Sequence, residues 1–262
     1  MPYGKVSRRP QVRYTDTHIW MADPDCLTYP HTQGHLARQI NSRTDPPRRS
    51  QAVFHRAIQM TNTQSRKIIL ASASGIRAAM LGNAGLVFAV QPGRIDEQAV
   101  KESLLAGGGK ARDLADTLAE MKALKISDRN PDALVIGADQ VLECEGRVFS
   151  KPETPADAMA QLRFLSGKTH YLHAAAVVCE KGQPIWRHVG AVCLTMHDIS
   201  DSYLTDYIAR NWDSVRHAVG CYKIEAEGVR LFSRIDGDFF HILGLPLIEL
   251  LTWLRIRGDI PA

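Results

Sequence analysis

Asp139 follows Ala133-Leu134-Val135-Ile136, an apolar run that breaks at the intervening Gly137-Ala138. A short apolar run bounded by turn residues is the pattern of a strand covered on both faces. The spacing therefore predicts a buried strand that ends by delivering one carboxylate. At that place Asp139 is either a turn former or an acid exposed to a cleft on a rigid backbone. Upstream, the run Ile68-Ile69-Leu70 gives way to Ala71-Ser72-Ala73-Ser74-Gly75 and then to a helical pattern with Ile76, Met80 and Leu81 on one face. Ser74 is the expected N-cap, and the free N–H groups of such a terminus attract phosphate. Arg77, one turn in, would add a planar donor fork. The same residues would also make an ordinary capped helix with a solvated arginine. Lys151-Pro152 supplies a further cation downstream of Asp139.

The elements that must position these groups follow from periodicity. A strand over 67–72 leads into a helix from about Gly75 to Gly85. Asp113–Ile126 has Leu114, Leu118, Met121 and Lys125 at helical spacing, with Lys122 beside that stripe. Pro155–Leu165 is expected to be helical, with Ala158, Leu162 and Leu165 in phase. His170–Cys179 and Trp186–Met196 flank Lys181-Gly182-Gln183-Pro184, which suits a hairpin. Ser200–Arg210 and Pro246–Arg255 complete the helices, the latter with proline near its first position. Alternating strands and helices plus one antiparallel pair predict an α/β fold with a mixed central sheet flanked by helices.

Of the 262 residues, 45% are hydrophobic, enough for a sizeable core. Charged or polar residues interrupt every apolar run before it could cross a bilayer. The net charge of +4 is unevenly spread. Residues 1–66 carry ten Lys or Arg against four Asp, which leaves the rest net acidic. That segment is rich in proline, lacks an apolar period and reads as a disordered basic extension, either dispensable or upstream of the true start. An acidic body argues against nucleic acid as its substrate. The five cysteines form no C-x-x-C pair and read as reduced thiols of a cytoplasmic protein. Among the histidines after residue 66 only His170 and His173 are close in sequence, and in a strand they would face opposite sides, so no zinc site is expected.

The blocks Leu70-Ala71-Ser72-Ala73-Ser74-Gly75-Ile76-Arg77, Ile95-Asp96-Glu97, Lys122-Ala123 and Gly137-Ala138-Asp139-Gln140 occur in that order. They are followed by Lys151-Pro152, Leu165-Ser166-Gly167-Lys168-Thr169-His170, Gly220-Cys221-Tyr222-Lys223-Ile224-Glu225 and Gly244-Leu245-Pro246-Leu247. Together they resemble the Maf (septum-formation-inhibitor-like) family of nucleoside triphosphate pyrophosphatases over residues 67–257, leaving 258–262 as a tail. The resemblance implies two lobes around a nucleotide cleft, with cleavage of a nucleoside triphosphate to monophosphate and pyrophosphate. It implies Asp139 as proton acceptor, Glu97, Lys122 and Lys151 as further catalytic residues, and Ser74 and Arg77 at the phosphates. A divalent cation, Mg²⁺ or Mn²⁺, would be held by Glu97 and Asp139. The expected partners are the nucleotide and a second copy in a homodimer, with neither membrane nor nucleic acid. The alternative is a nucleotide-binding regulator of cell division with little turnover.

Base choice is where the chain departs from many family members. These carry Pro-Arg-Arg where this chain has Gly75-Ile76-Arg77. Ile76, Gln140 and Glu225 resemble the 7-methyl-GTP pyrophosphatase-like group, whereas the dTTP- and UTP-cleaving group tends to Arg, Thr and Gln. A carboxylate at 225 can accept from the N1–H and exocyclic amine of guanine. Ile76 offers an apolar wall but cannot stack on a cationic base as an indole would.

Overall fold

The computed structural model describes residues 66–261. The expected extension over 1–66 lies outside them except for Arg66, which pairs with Glu180 at 2.8 Å and so belongs to the body. Seven strands form one mixed sheet. β1 (Lys67–Leu70) lies parallel between β2 (Ala89–Val90) and β3 (Ala133–Cys144). β3 pairs antiparallel with β4 (Arg147–Phe149) and β5 (Thr169–Glu180). β6 (Gln183–Met196) and β7 (Phe232–Asp236) continue the antiparallel half. The main order is β2-β1-β3-β5-β6-β7, with β4 beside β3.

Seven helices cover the sheet: α1 (Gly75–Asn83), α2 (Glu97–Ala106), α3 (Ala111–Ser127), α4 (Pro155–Leu165), α5 (Asp201–Val215), α6 (Phe239–Ile242) and α7 (Leu247–Arg257). On one face α3 packs Leu114, Ala115, Leu118 and Ala119 against Val135, Ala175 and Val177. On the other, α1 and α7 pack Met80, Leu81, Leu250 and Leu254 against Leu70, Leu134, Ile136 and Ala176. A third cluster at the far end joins α4 and α5 to Leu142, Leu172 and Leu194. Each fully buried Leu or Ile contributes about 1.5–3 kcal/mol, so the strands that carry the polar groups are held from both sides.

Several expectations are met closely. α4 has the expected bounds and buries Ala158, Leu162 and Leu165. The β5–β6 hairpin turns at Lys181-Gly182, whose φ values of 51° and 70° are those of a type I′ turn. Others need correction. β3 does not end at Gly137-Ala138 but runs on to Cys144, so Asp139 is mid-strand. The buried stripe of α3 passes through Lys122, while Met121 is exposed. Pro246 caps α7 rather than opening it. Beyond α7, Asp259 pairs with Arg257 at 3.1 Å and Ile260 packs against the core.

Candidate active site

β1 stops at Leu70 and β4 begins to pair only at Leu142, so on that side β3 has no neighbouring strand at Gly137–Val141. The chain leaving β1 fills part of the gap: Ala71 N–H donates to the Ile136 carbonyl at 2.7 Å. The rest opens into a cleft of about 1020 Å³. Its position fits the general behaviour of α/β sheets, where ligands bind beyond the carboxyl ends of parallel strands. Every residue singled out above as a catalytic, phosphate or specificity residue lines this cleft.

Asp139 shares the α3 face of the sheet with its cross-strand partner Ala175. Gly137, two residues earlier, lets the helix approach. A Cβ there would lie 2.1 Å from the Ala119 carbonyl oxygen and 2.8 Å from Ala123 Cβ. That approach brings Lys122 Nζ to 2.5 Å from Asp139 Oδ1 and 2.7 Å from Glu97 Oε1. Glu97 opens α2 behind the N-cap Asp96, whose side chain accepts from Ala99 N–H at 3.0 Å. Burial pushes the Asp139 carboxyl above the ordinary aspartate range, and Lys122 and Arg77 pull it part of the way back. Two carboxylate oxygens converge on one cation at the cleft wall.

Arg77 is buried rather than solvated. Nε donates to the Gly244 carbonyl at 2.7 Å, and Nη1 donates to the Ala138 carbonyl at 2.8 Å and to Ser72 Oγ at 3.1 Å. Burial lowers its pKa, against the opposing pull of Asp139 and Glu97. It ties α1, β3 and the α6–α7 turn together, and Nη2 has no hydrogen-bond partner among the described residues. Ser74 occupies the N-cap position of α1 with extended backbone but makes no side-chain cap bond, and its N–H donates to Ser72 Oγ at 3.3 Å.

Gln140 points to the opposite face from Asp139. Its Nε2 donates to the carbonyls of His241 and Ile242 at 2.8 and 2.9 Å, which leaves its oxygen as the acceptor. Ile76, Lys151 and Glu225 are exposed on the cleft wall. Glu225 sits in a turn before the 3₁₀ segment Glu227–Leu231, not in a strand. Three further cations with no role assigned from sequence stand on this wall: Arg94, Lys101 and Lys223. Lys101 donates to Ser150 Oγ at 2.8 Å and lies one helical turn after Glu97, a spacing that places both on one face of α2. Arg94 adjoins a block already quoted, and Lys223 lies inside one.

The sequence profile described as Maf-like protein matches residues 67–256. The chain belongs to the Maf-like family. A nucleoside triphosphate pyrophosphatase of Roseobacter denitrificans (strain ATCC 33942 / OCh 114) is 62% identical over 194 residues, covering 74% of this chain and 98% of that protein. One of Caulobacter vibrioides (strain ATCC 19089 / CIP 103742 / CB 15) is 50% identical over 192 residues, covering 73% and 96%. A 7-methyl-GTP pyrophosphatase of Brucella abortus biovar 1 (strain 9-941) is 44% identical over 189 residues, covering 72% and 95%. The span that the profile matches contains every residue named on the cleft of this Maf-like chain.

Proposed function

We propose that this chain is a hydrolase that cuts the α–β phosphoanhydride of a nucleoside triphosphate, releasing the monophosphate and pyrophosphate. The observation that carries the reading is the Lys122–Asp139–Glu97 trio, set in a cation-lined cleft of nucleotide size in a chain of this family. A bound triphosphate brings about four negative charges, which Arg77, Lys122 and Lys151 with the α1 N-terminus are placed to neutralise. Arg94, Lys101 and Lys223 add to the same field. Asp139 takes the proton of the attacking water. Its raised pKa makes it a stronger base than an exposed aspartate.

The residues fit a divalent cation. Oxygens of Glu97 and Asp139 already converge on one ammonium, and Mg²⁺ is typically held by one or two carboxylates together with substrate phosphates. Glu97 and Asp139 would hold Mg²⁺ or Mn²⁺, which would polarise the phosphate and acidify the attacking water. Lys122 keeps the two carboxylates close together by pairing with both.

For the base, the reading is a guanine-type purine. With its amide hydrogens committed to α6, Gln140 offers only its oxygen, and Glu225 is a second acceptor on the same cleft. Two acceptors match the N1–H and amino donors of guanine, with Ile76 as an apolar wall. The homodimer and the cytoplasmic location implied by sequence are part of the proposal, and light scattering tests the first. The reaction is tested with a panel of ordinary and 7-methylated nucleoside triphosphates with Mg²⁺ or Mn²⁺. Equal yields of monophosphate and pyrophosphate are expected. Binding without turnover would return the regulator reading, and release of orthophosphate would place the cut at the wrong bond.

A further inference from the structure

A second polar cluster lies on the sheet face opposite Asp139. His188 is on β6, His241 in α6 and Glu249 in the first turn of α7. His241 Nε2 is 3.3 Å from Glu249 Oε2, and His188 Nε2 is 3.6 Å from Oε1 of the same carboxylate. The ligand atoms of all three residues lie within 4.8 Å of one another. One His–carboxylate hydrogen bond accounts for the shorter contact but not for the second imidazole, which is beyond good hydrogen-bond distance.

The sheet gives up a side chain to seat one of these rings. A Cβ at Gly190 would fall 2.1 Å from His241 Cε1 and 2.2 Å from Nδ1. Glycine inside a strand is costly and often marks a close approach of another group. The imidazole that fills the space is only 8% exposed, with its Nε2 directed at Glu249. The other ring is also held: His188 stacks on Trp186 at 6.4 Å, and Trp186 stacks on Trp253 at 5.5 Å. One side stays open, because His188 and Glu249 line a shallow surface cleft with Trp186, Ile248 and Trp253.

We propose that His188, His241 and Glu249 form a transition-metal site that takes Zn²⁺, separate from the carboxylates of the nucleotide cleft. Two imidazole nitrogens and one carboxylate oxygen are a ligand set that suits Zn²⁺, whereas Mg²⁺ demands oxygens. Tetrahedral zinc with bonds of roughly 2.0–2.2 Å sets its ligand atoms roughly 3.3–3.5 Å apart. The two His–Glu separations are close to that, though they run to different oxygens of the one carboxylate. The ligand atoms of the three residues, within 4.8 Å of one another, would have to draw together around the ion. The open side leaves the fourth position to water. The three ligands come from separate elements, so the bound ion would staple β6, α6 and α7.

The test uses the untagged full-length chain, stripped with chelator and titrated with Zn²⁺ in a calorimeter without nucleotide. One equivalent is expected to bind with a micromolar or lower Kd, and His188→Ala and Glu249→Gln should each weaken that binding at least tenfold. Both side chains are partly exposed, so the metal-free variants should keep the circular dichroism and Tm of the unaltered chain. A rise in Tm on adding Zn²⁺ should appear in the unaltered chain and shrink in the variants. The other histidines make the variants decisive. No saturable binding, or binding of equal strength in both variants, would overturn the site. Cobalt substitution gives an independent reading: a visible ligand-field band lost in both variants supports the site, and one that persists in both counts against it.

Discussion

At the level of single residues, the cleft depends on a carboxylate whose burial and counter-charges pull in opposite directions. Asp139→Asn keeps the side chain's shape and its place beside Lys122 but removes the base. We expect kcat to fall by about 10²–10⁴-fold, the usual scale for general-base loss, with a native circular dichroism spectrum. Near-normal turnover in the folded variant would take Asp139 out of its assigned role. Glu225→Gln exchanges a charged acceptor for an amide that can also donate. It should cost guanine recognition about 1–3 kcal/mol and move the order of kcat/KM for GTP, 7-methyl-GTP, UTP and dTTP toward the pyrimidines. An unchanged order would mean that Glu225 does not read the base. Sequence made Asp139 visible because a lone acid after an apolar run is conspicuous. It did not disclose that Lys122 joins Asp139 to Glu97, since the three come from separate elements. The donors of Gln140 are likewise committed to carbonyls that only folding brings near. His188, His241 and Glu249 have no metal-binding spacing, so the pattern that exposes sequence-local sites was silent.

Among the elements, those with a clean apolar period could be read from sequence, and α4 is the clearest case. α2 was not, because it buries none of its residues and shows no full apolar stripe. Gly137-Ala138 misled for a physical reason. Small residues mark turns, but here they thin a continuing strand so that α3 can press against it. Gly137→Ala tests this account of the register between α3 and β3. The added methyl meets backbone at 2.1 Å, so the helix must shift and carry Lys122 away from Asp139. Overpacking of this kind costs about 1–3 kcal/mol. A lower Tm together with a drop in kcat is expected. A stable, fully active variant would show that the helix position is not what sets the ion pair.

For the molecule as a whole, two properties follow from where its stability resides. The family match begins at residue 67, and the described core is closed within residues 66–261, so a chain starting at Met60 should keep both Tm and activity. A large loss of either would give the preceding segment a structural role. The second property is sensitivity to acid. His170 is buried in the far-end cluster, with Nε2 2.8 Å from the Tyr222 hydroxyl and Nδ1 buried without a partner among the described residues. A proton on both nitrogens would leave one N–H without an acceptor in an apolar setting, and burial lowers the pKa from 6.5 to about 4. The unfolded chain therefore binds a proton that the folded chain refuses between those two values. Stability rises with pH across that window and is lost as pH falls through it. From pH 7 to pH 5 this one group removes about 2 kcal/mol. Burial of His173 acts in the same direction. Replacing His170 with Gln removes the titration, whatever the substitution itself costs at neutral pH. Chemical unfolding at pH 7 and pH 5 should therefore show a smaller pH-induced loss in the variant than in the unaltered chain, and equal losses would show that His170 is not the group that makes the fold acid-sensitive.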